Sequence, residues 1–214
     1  MTRLGPLALV LLGLSGCLGS APPVPRDHYY RVLVAPPAQG ADARPTPAVM
    51  FPGVISVTQL EADGLLRERP ILYSASGQAH EMQQHDYHYW MDPPPRMLQI
   101  QLVDYLRHSG LAEAVITPEL RLRPDYEVSG RIRRLERLLG GGPPRVIAEI
   151  ELAMVESARK QLIVIETYAA EVPSADASVE ASVLALNRAL ADIFERFLAD
   201  VTRSHTAFRA APLD

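Results

Sequence analysis

Three consecutive segments decide the fold: Asp125–Leu139 (DYEVSGRIRRLERLL), Arg145–Ser157 (RVIAEIELAMVES) and Gln161–Val172 (QLIVIETYAAEV). Each carries the alternation and β-branched content of a strand. The linkers Gly140-Gly141-Gly142-Pro143-Pro144 and Ala158-Arg159-Lys160 are too short for a crossover helix, so the three form an antiparallel meander. In the middle segment Val146, Ala148, Ile150, Leu152 and Met154 share one face, and Glu149 and Glu151 take the other. The third segment is apolar on both faces, the pattern of a central strand.

Toward the C-terminus, Val179, Val183, Leu186, Leu190, Ile193, Phe197 and Val201 recur at spacings of three and four, one stripe of a helix. Ser174 and Asp176 are its candidate caps. Residues 206–214 read as a loose tail. Toward the N-terminus, Ala112–Ile116 is a short strand. Before it, Pro93–Pro95 open a helix, since a first-turn N–H has no partner to lose. Leu98, Leu102, Tyr105 and Leu106 form its stripe, widened by Met97, Ile100 and Val103, and Gly110 caps it. Tyr29–Ala35, Val54–Leu60, Arg69–Ser74 and a more polar His80–Tyr89 read as strands, and the proline-rich Pro36–Gly53 as a loop. The expected fold class is α/β: a mixed, largely antiparallel sheet with two main amphipathic helices, in one domain spanning residues 29–205.

The chain opens differently. Arg3 precedes an apolar run from Leu4 to Leu14, too short for a bilayer span and suited to a secretion signal over residues 1–16. Leu14-Ser15-Gly16-Cys17 matches a bacterial lipobox, in which small residues fit the peptidase and the Cys thiol accepts a diacylglyceryl group. Cys17 is the chain's one cysteine. Acyl chains there hold a membrane without a protein span. Leu18, rather than Asp, follows it, which by Gram-negative sorting rules favours the outer membrane. Residues 17–28 then read as a lipidated Pro-rich tether, with Leu18–His28 reaching about 30 Å when extended.

Composition limits the alternatives. The chain has 214 residues, 48% of them hydrophobic, and a net charge of −4. This fits one globular domain and argues against a nucleic-acid binder. His80, His85 and His88 invite a metal reading, but His80-Glu81-Met82-Gln83-Gln84-His85 is one residue too long for a zinc-protease motif. On a strand, His80 and His85 face opposite ways. Tyr73–Gly77 reads as a turn, not a nucleophile elbow, and Gly140–Gly142 lacks the Lys and Ser/Thr of a phosphate loop. No catalytic residue, cofactor or metal is therefore expected. Arg121, Arg123, Arg131, Arg133, Arg134, Arg137 and Arg145 suit either an anionic partner or a solvated face paired with Glu127, Glu136 and Glu149, with the paired face favoured. Tyr87, Tyr89, Trp90 and the prolines after them suit an interface or a core equally.

The order of five features resembles the ABC-type transport auxiliary lipoprotein family: the lipobox at Cys17, Tyr29–Leu33 (YYRVL), Arg69–Tyr73 (RPILY), Tyr89–Pro94 (YWMDPP) and the helix Asp176–Val201. Tyr89 departs from the Arg common in the family before the Trp. The resemblance implies a fold similar to the TolB N-terminal domain and a non-enzymatic role. Its implied partners are an ABC transporter and a mammalian-cell-entry (MCE) domain protein that move lipid between the inner and outer membranes. A ring or other homo-oligomer is compatible with such a role. Tyr89, Trp90, Pro93 and Pro94 are the expected partner contact. The runner-up role is a structural lipoprotein, such as an activator of cell-wall synthesis.

Overall fold

The computed structural model describes residues 25–37, 49–78 and 80–210, with side chains through 205. The lipobox, Cys17 and most of the tether lie outside the described residues. Among the described residues no helix is long and apolar enough to cross a membrane.

The strands are β1 (His28–Tyr30), β2 (Phe51–Val57), β3 (Glu61–Ala62), β4 (Pro70–Ser74), β5 (Gln83–Trp90), β6 (Ala112–Ile116), β7 (Tyr126–Leu138), β8 (Arg145–Glu156) and β9 (Gln161–Pro173). Helix α1 (Pro94–Ser109) lies between β5 and β6, and α2 (Val179–Ala210) follows β9. The meander β7–β8–β9 is antiparallel over nearly its whole length. Strand β8 takes one edge of β7. Along the other edge, three short strands follow one another in parallel: β2 at Tyr126–Val128, β3 at Arg131–Ile132 and β4 at Arg137–Leu138. Two arms extend this edge, β4–β5–β1 and β2–β6. One long strand thus serves as spine for a curled mixed sheet. The longest ladders are antiparallel and the short ones are mostly parallel.

Helix α2 covers β8 and β9. Its seven-residue stripe is buried, joined by Ala185, Ala189 and Phe194. The small alanines let the helix settle close to the sheet, where Ala148 and Ile150 of β8 are also fully buried. Both helices share one core, and Tyr105 of α1 meets Phe194 of α2 edge to face with ring centroids 5.6 Å apart. Gly110 caps α1 in the left-handed region at φ 66°. Ile100 departs from the expected stripe and sits 37% exposed at its rim. At α2 the capping hydroxyl is that of Ser178, which accepts from the Ala181 N–H at 3.1 Å. Asp176 accepts from the Ser178 N–H at 2.7 Å, and Ser174 Oγ lies 3.4 Å from Ser182 Oγ.

Five sequence expectations are corrected. Helix α2 runs to Ala210, so residues 206–210 of the expected loose tail are helical. The first strand stops at Tyr30, because the next N–H groups turn to helix side chains. Leu33 N–H donates to Asn187 Oδ1 at 3.1 Å and Val34 N–H to Gln101 Oε1 at 2.8 Å. The second strand starts at Phe51, inside the expected loop, because a bulge between Phe51 and Val54 absorbs Pro52 and Gly53. The polar strand starts at Gln83, so His80 lies in the turn before it. Finally, among the described residues β9 pairs only with β8, making it an edge strand. Its carbonyl edge is partly covered by α2: Arg196 donates to Ala169 O at 2.7 Å and Arg188 to Pro173 O at 3.2 Å. Its other apolar face, with Leu162 and Ile165 each 53% exposed, is what imitated a central strand in the sequence.

Candidate functional site

The chain enters the body through β1, which pairs with β5 in the register His28 to His88 and Tyr30 to Trp90. Tyr30 is the clasp. Its hydroxyl donates to Glu180 Oε1 at 2.8 Å and lies 2.9 Å from His88 Nδ1. With the phenol proton on Glu180, His88 supplies the proton of the second bond. Burial and the Glu180 carboxylate push the Tyr30 phenol up to about 12. Hydrogen bonds to its own backbone N–H and to Tyr30 hold Glu180 below the usual carboxylate range. His28 stacks on His88 with centroids 5.0 Å apart, and burial followed by His28 lowers the His88 pKa. Glu180 lies in the first turn of α2, where the helix dipole favours a carboxylate.

Behind the clasp lies Arg137, 1% exposed. It donates to Ser182 Oγ at 2.9 Å, to Ala177 O at 2.6 Å and to His85 Nε2. Burial, then the Arg137 charge, push His85 down to about 4. His85 is therefore a neutral acceptor that satisfies a buried guanidinium. Strict alternation places His85 and His88 on opposite faces, yet their rings sit 5.2 Å apart. The β4–β5 register explains this: Pro70 pairs with Tyr89 but Leu72 with Gln84, so the extra residues of β5 bulge between them. Among the described residues no three metal-ligating side chains gather into one group.

The aromatic element divides by depth. Trp90 is 1% exposed, and its backbone N–H donates to Arg69 O at 2.7 Å while Arg69 Nε donates to the Trp90 carbonyl at 3.0 Å. Pro94 is also buried, in the first turn of α1. Tyr89 is half-buried and Pro93 exposed. Beside them Tyr29, Tyr87 and Met91 are exposed, with Arg69 over the Tyr29 ring at 5.3 Å. Any contact made here uses these outer side chains.

The arginine stretch is largely paired. Arg131 bridges Glu61 and Asp63, Arg133 meets Glu151, Arg134 meets Glu136, and Arg145 meets Glu171. Of the expected carboxylates only Glu136 serves in these pairs. The others come from β3, the turn after it, β8 and β9, which sequence spacing did not reveal.

A pocket of about 660 Å³ opens where β2, β7, the β8–β9 turn and α2 meet. Met50, Phe51, Pro52, Tyr126, Leu162 and Ile163 supply its apolar lining, and Glu156 and Arg159 add charge. Phe51 packs edge to face on Tyr126 at 5.0 Å. No motif marked it, because its lining comes from four separate segments, at 49–52, 126, 156–163 and 204–205.

These features define a class: a curled mixed α/β body whose buried polar groups tie its own elements together. The chain belongs to the family of ABC-type transport auxiliary lipoprotein components, which it matches over residues 32–196. Protein XCC0632 from Xanthomonas campestris has a similar structure, with TM-score 0.71, 19% identity, and coverage of 86% of this chain and 100% of that one. A second solved structure, of an uncharacterised protein, overlaps with TM-score 0.64 and 15% identity over 83% of this chain and 99% of the other. No curated protein matches the chain in sequence.

Proposed function

We propose that this protein is a non-enzymatic, lipid-anchored component of an intermembrane transport system, held by Cys17 at the periplasmic face of the outer membrane. The family match over residues 32–196 carries this reading. The lipobox and Leu18 support the anchor and its destination. The tether joins the body at the Tyr30 clasp, so acyl chains at Cys17 hold the whole domain within about 30 Å of the bilayer. The transport partners are an MCE-domain protein and an ABC transporter, contacted through Tyr29, Tyr89, Met91 and Pro93, and the body assembles with copies of itself around the conduit.

Crosslinking in intact envelopes with a tagged chain tests this, with photoreactive residues at Tyr89 and Met91. Capture of an MCE-domain protein or its transporter is the expected result. Capture of cell-wall synthases alone overturns it in favour of an assembly role. Cys17→Ser is expected to release the protein from the membrane fraction.

A further inference from the structure

The pocket beside the β8–β9 turn is built for more than packing. Its volume of about 660 Å³ lies within the range of ligand sites. A chain methylene takes up about the liquid share of a water molecule, near 30 Å³, so a sixteen-carbon chain needs roughly 480 Å³ and two need roughly 960 Å³. One chain fits. The lining matches a chain in chemistry: Leu162, at 53% exposure, presents an aliphatic side chain to water that a ligand would cover.

The polar part of the lining is specific as well. Glu156 Oε2 is buried and has no hydrogen-bond partner, an arrangement that costs stability unless a donor reaches it. Arg159 Nη1 stands 3.7 Å from that same oxygen, an ion pair too long for a hydrogen bond, and its side chain is 66% exposed. A carboxylate acceptor and a guanidinium donor side by side fit a headgroup carrying both an ammonium and a phosphate.

We propose that this pocket binds one acyl chain of a zwitterionic phospholipid, with Glu156 receiving the headgroup ammonium and Arg159 the phosphate. The assignment deepens the transport reading above and rests on it for its biological setting. It makes the body a lipid-handling element as well as a docking one. The pocket lies at the outer end of the meander, away from the clasp that receives the tether.

The test is titration of the full mature chain, carrying Cys17→Ser, with monomeric 1-palmitoyl-lysophosphatidylethanolamine and, separately, palmitate. The wild-type pocket is expected to bind the lysophospholipid one to one and more tightly than palmitate. Leu162→Glu, at an exposed position that folding tolerates, is expected to weaken both at least tenfold. Glu156→Gln is expected to weaken the lysophospholipid several-fold and leave palmitate unchanged. Leu184→Glu, at another exposed leucine, twenty residues before the lining residue Ser204 on the same helix, is expected to bind like wild type. Absence of binding, or equal binding by Leu162→Glu, overturns the proposal. Equal loss of both probes in Glu156→Gln overturns the headgroup assignment. Partner capture in envelopes without lipid binding sinks this pocket and spares the transport reading, and the reverse result does the opposite.

Discussion

Gly77 and Gly140 meet backbone to backbone. A Cβ on Gly77 would lie 2.1 Å from the Gly140 carbonyl oxygen, and one on Gly140 would lie 2.2 Å from the Ala75 carbonyl oxygen. The turn after β4 and the turn after β7 are thereby pressed together where those strands pair in parallel. Both glycines drew notice in the sequence as turn formers. Their shared role is a close crossing of two turns.

Gly140→Ala should therefore destabilise the fold through contact alone. Neither backbone can yield without moving a strand, so the cost is about 2–3 kcal/mol. Calorimetry should show melting lowered by roughly 5–10 °C for a domain of this size. Gly64→Ala is the comparison: nothing lies within 4 Å of its added Cβ, and only φ +52° opposes it. It should cost about 1 kcal/mol.

Arg137→Met should destabilise by about 3 kcal/mol or more, although the side chains are similar in length. It strips the donor from Ser182 Oγ, Ala177 O and His85 Nε2 inside the protein. It also removes a charge that holds His85 low, so the His85 resonance should titrate at higher pH by NMR. An unchanged His85 titration would mean that burial alone sets it.

Acid should weaken the fold before ordinary carboxylates protonate. His85 titrates near 4 when folded and near 6.5 when unfolded. Between those values the unfolded chain binds the proton and the folded one does not, so stability falls as pH drops from 6.5 toward 4 and levels off below. His88, also lowered, acts in the same direction, and Glu180 adds a loss at lower pH. Discounted for solvent screening, the His85 share is roughly 1 kcal/mol by pH 5. Denaturant midpoints across this window check it, and His85→Asn should flatten the slope.

Trp90 is the chain's one tryptophan and is buried, so its emission should be blue-shifted when folded and move red on unfolding. Trp90→Ala should cost about 3–5 kcal/mol through the cavity it leaves. Tyr89→Ala, half-buried next door, should cost far less and is the better variant for testing a partner contact.

Glu61→Gln should change stability by less than about 1 kcal/mol, with the difference fading in high salt. The side chains of its pair with Arg131 are 68% and 39% exposed. A large effect would show that the charged outer face of β7 does more than solvate the sheet.

The sequence by itself determined what depends on near neighbours along the chain. The buried face of β8, the seven-residue stripe of α2, the prolines opening α1 and the Gly110 cap all rest on periods of two or 3.6 and on local backbone preference. The meander was legible because its linkers are too short for any other pairing. The order of motifs from Cys17 to the last helix was enough to suggest the family. Tertiary structure alone decided the rest. Trp90 turned inward into the shared core, and nothing in the run YWMDPP separates a core aromatic from a contact. His85 and His88 came together through a bulge that alternation does not encode. Strand β9 became an edge because no further strand among the described residues pairs with it, although its composition suits a centre. The pocket arose where Phe51, Tyr126 and Leu162 converge. In each case the deciding contact joins segments far apart in sequence, and which such segments meet is settled only when the whole sheet curls and closes on its helices.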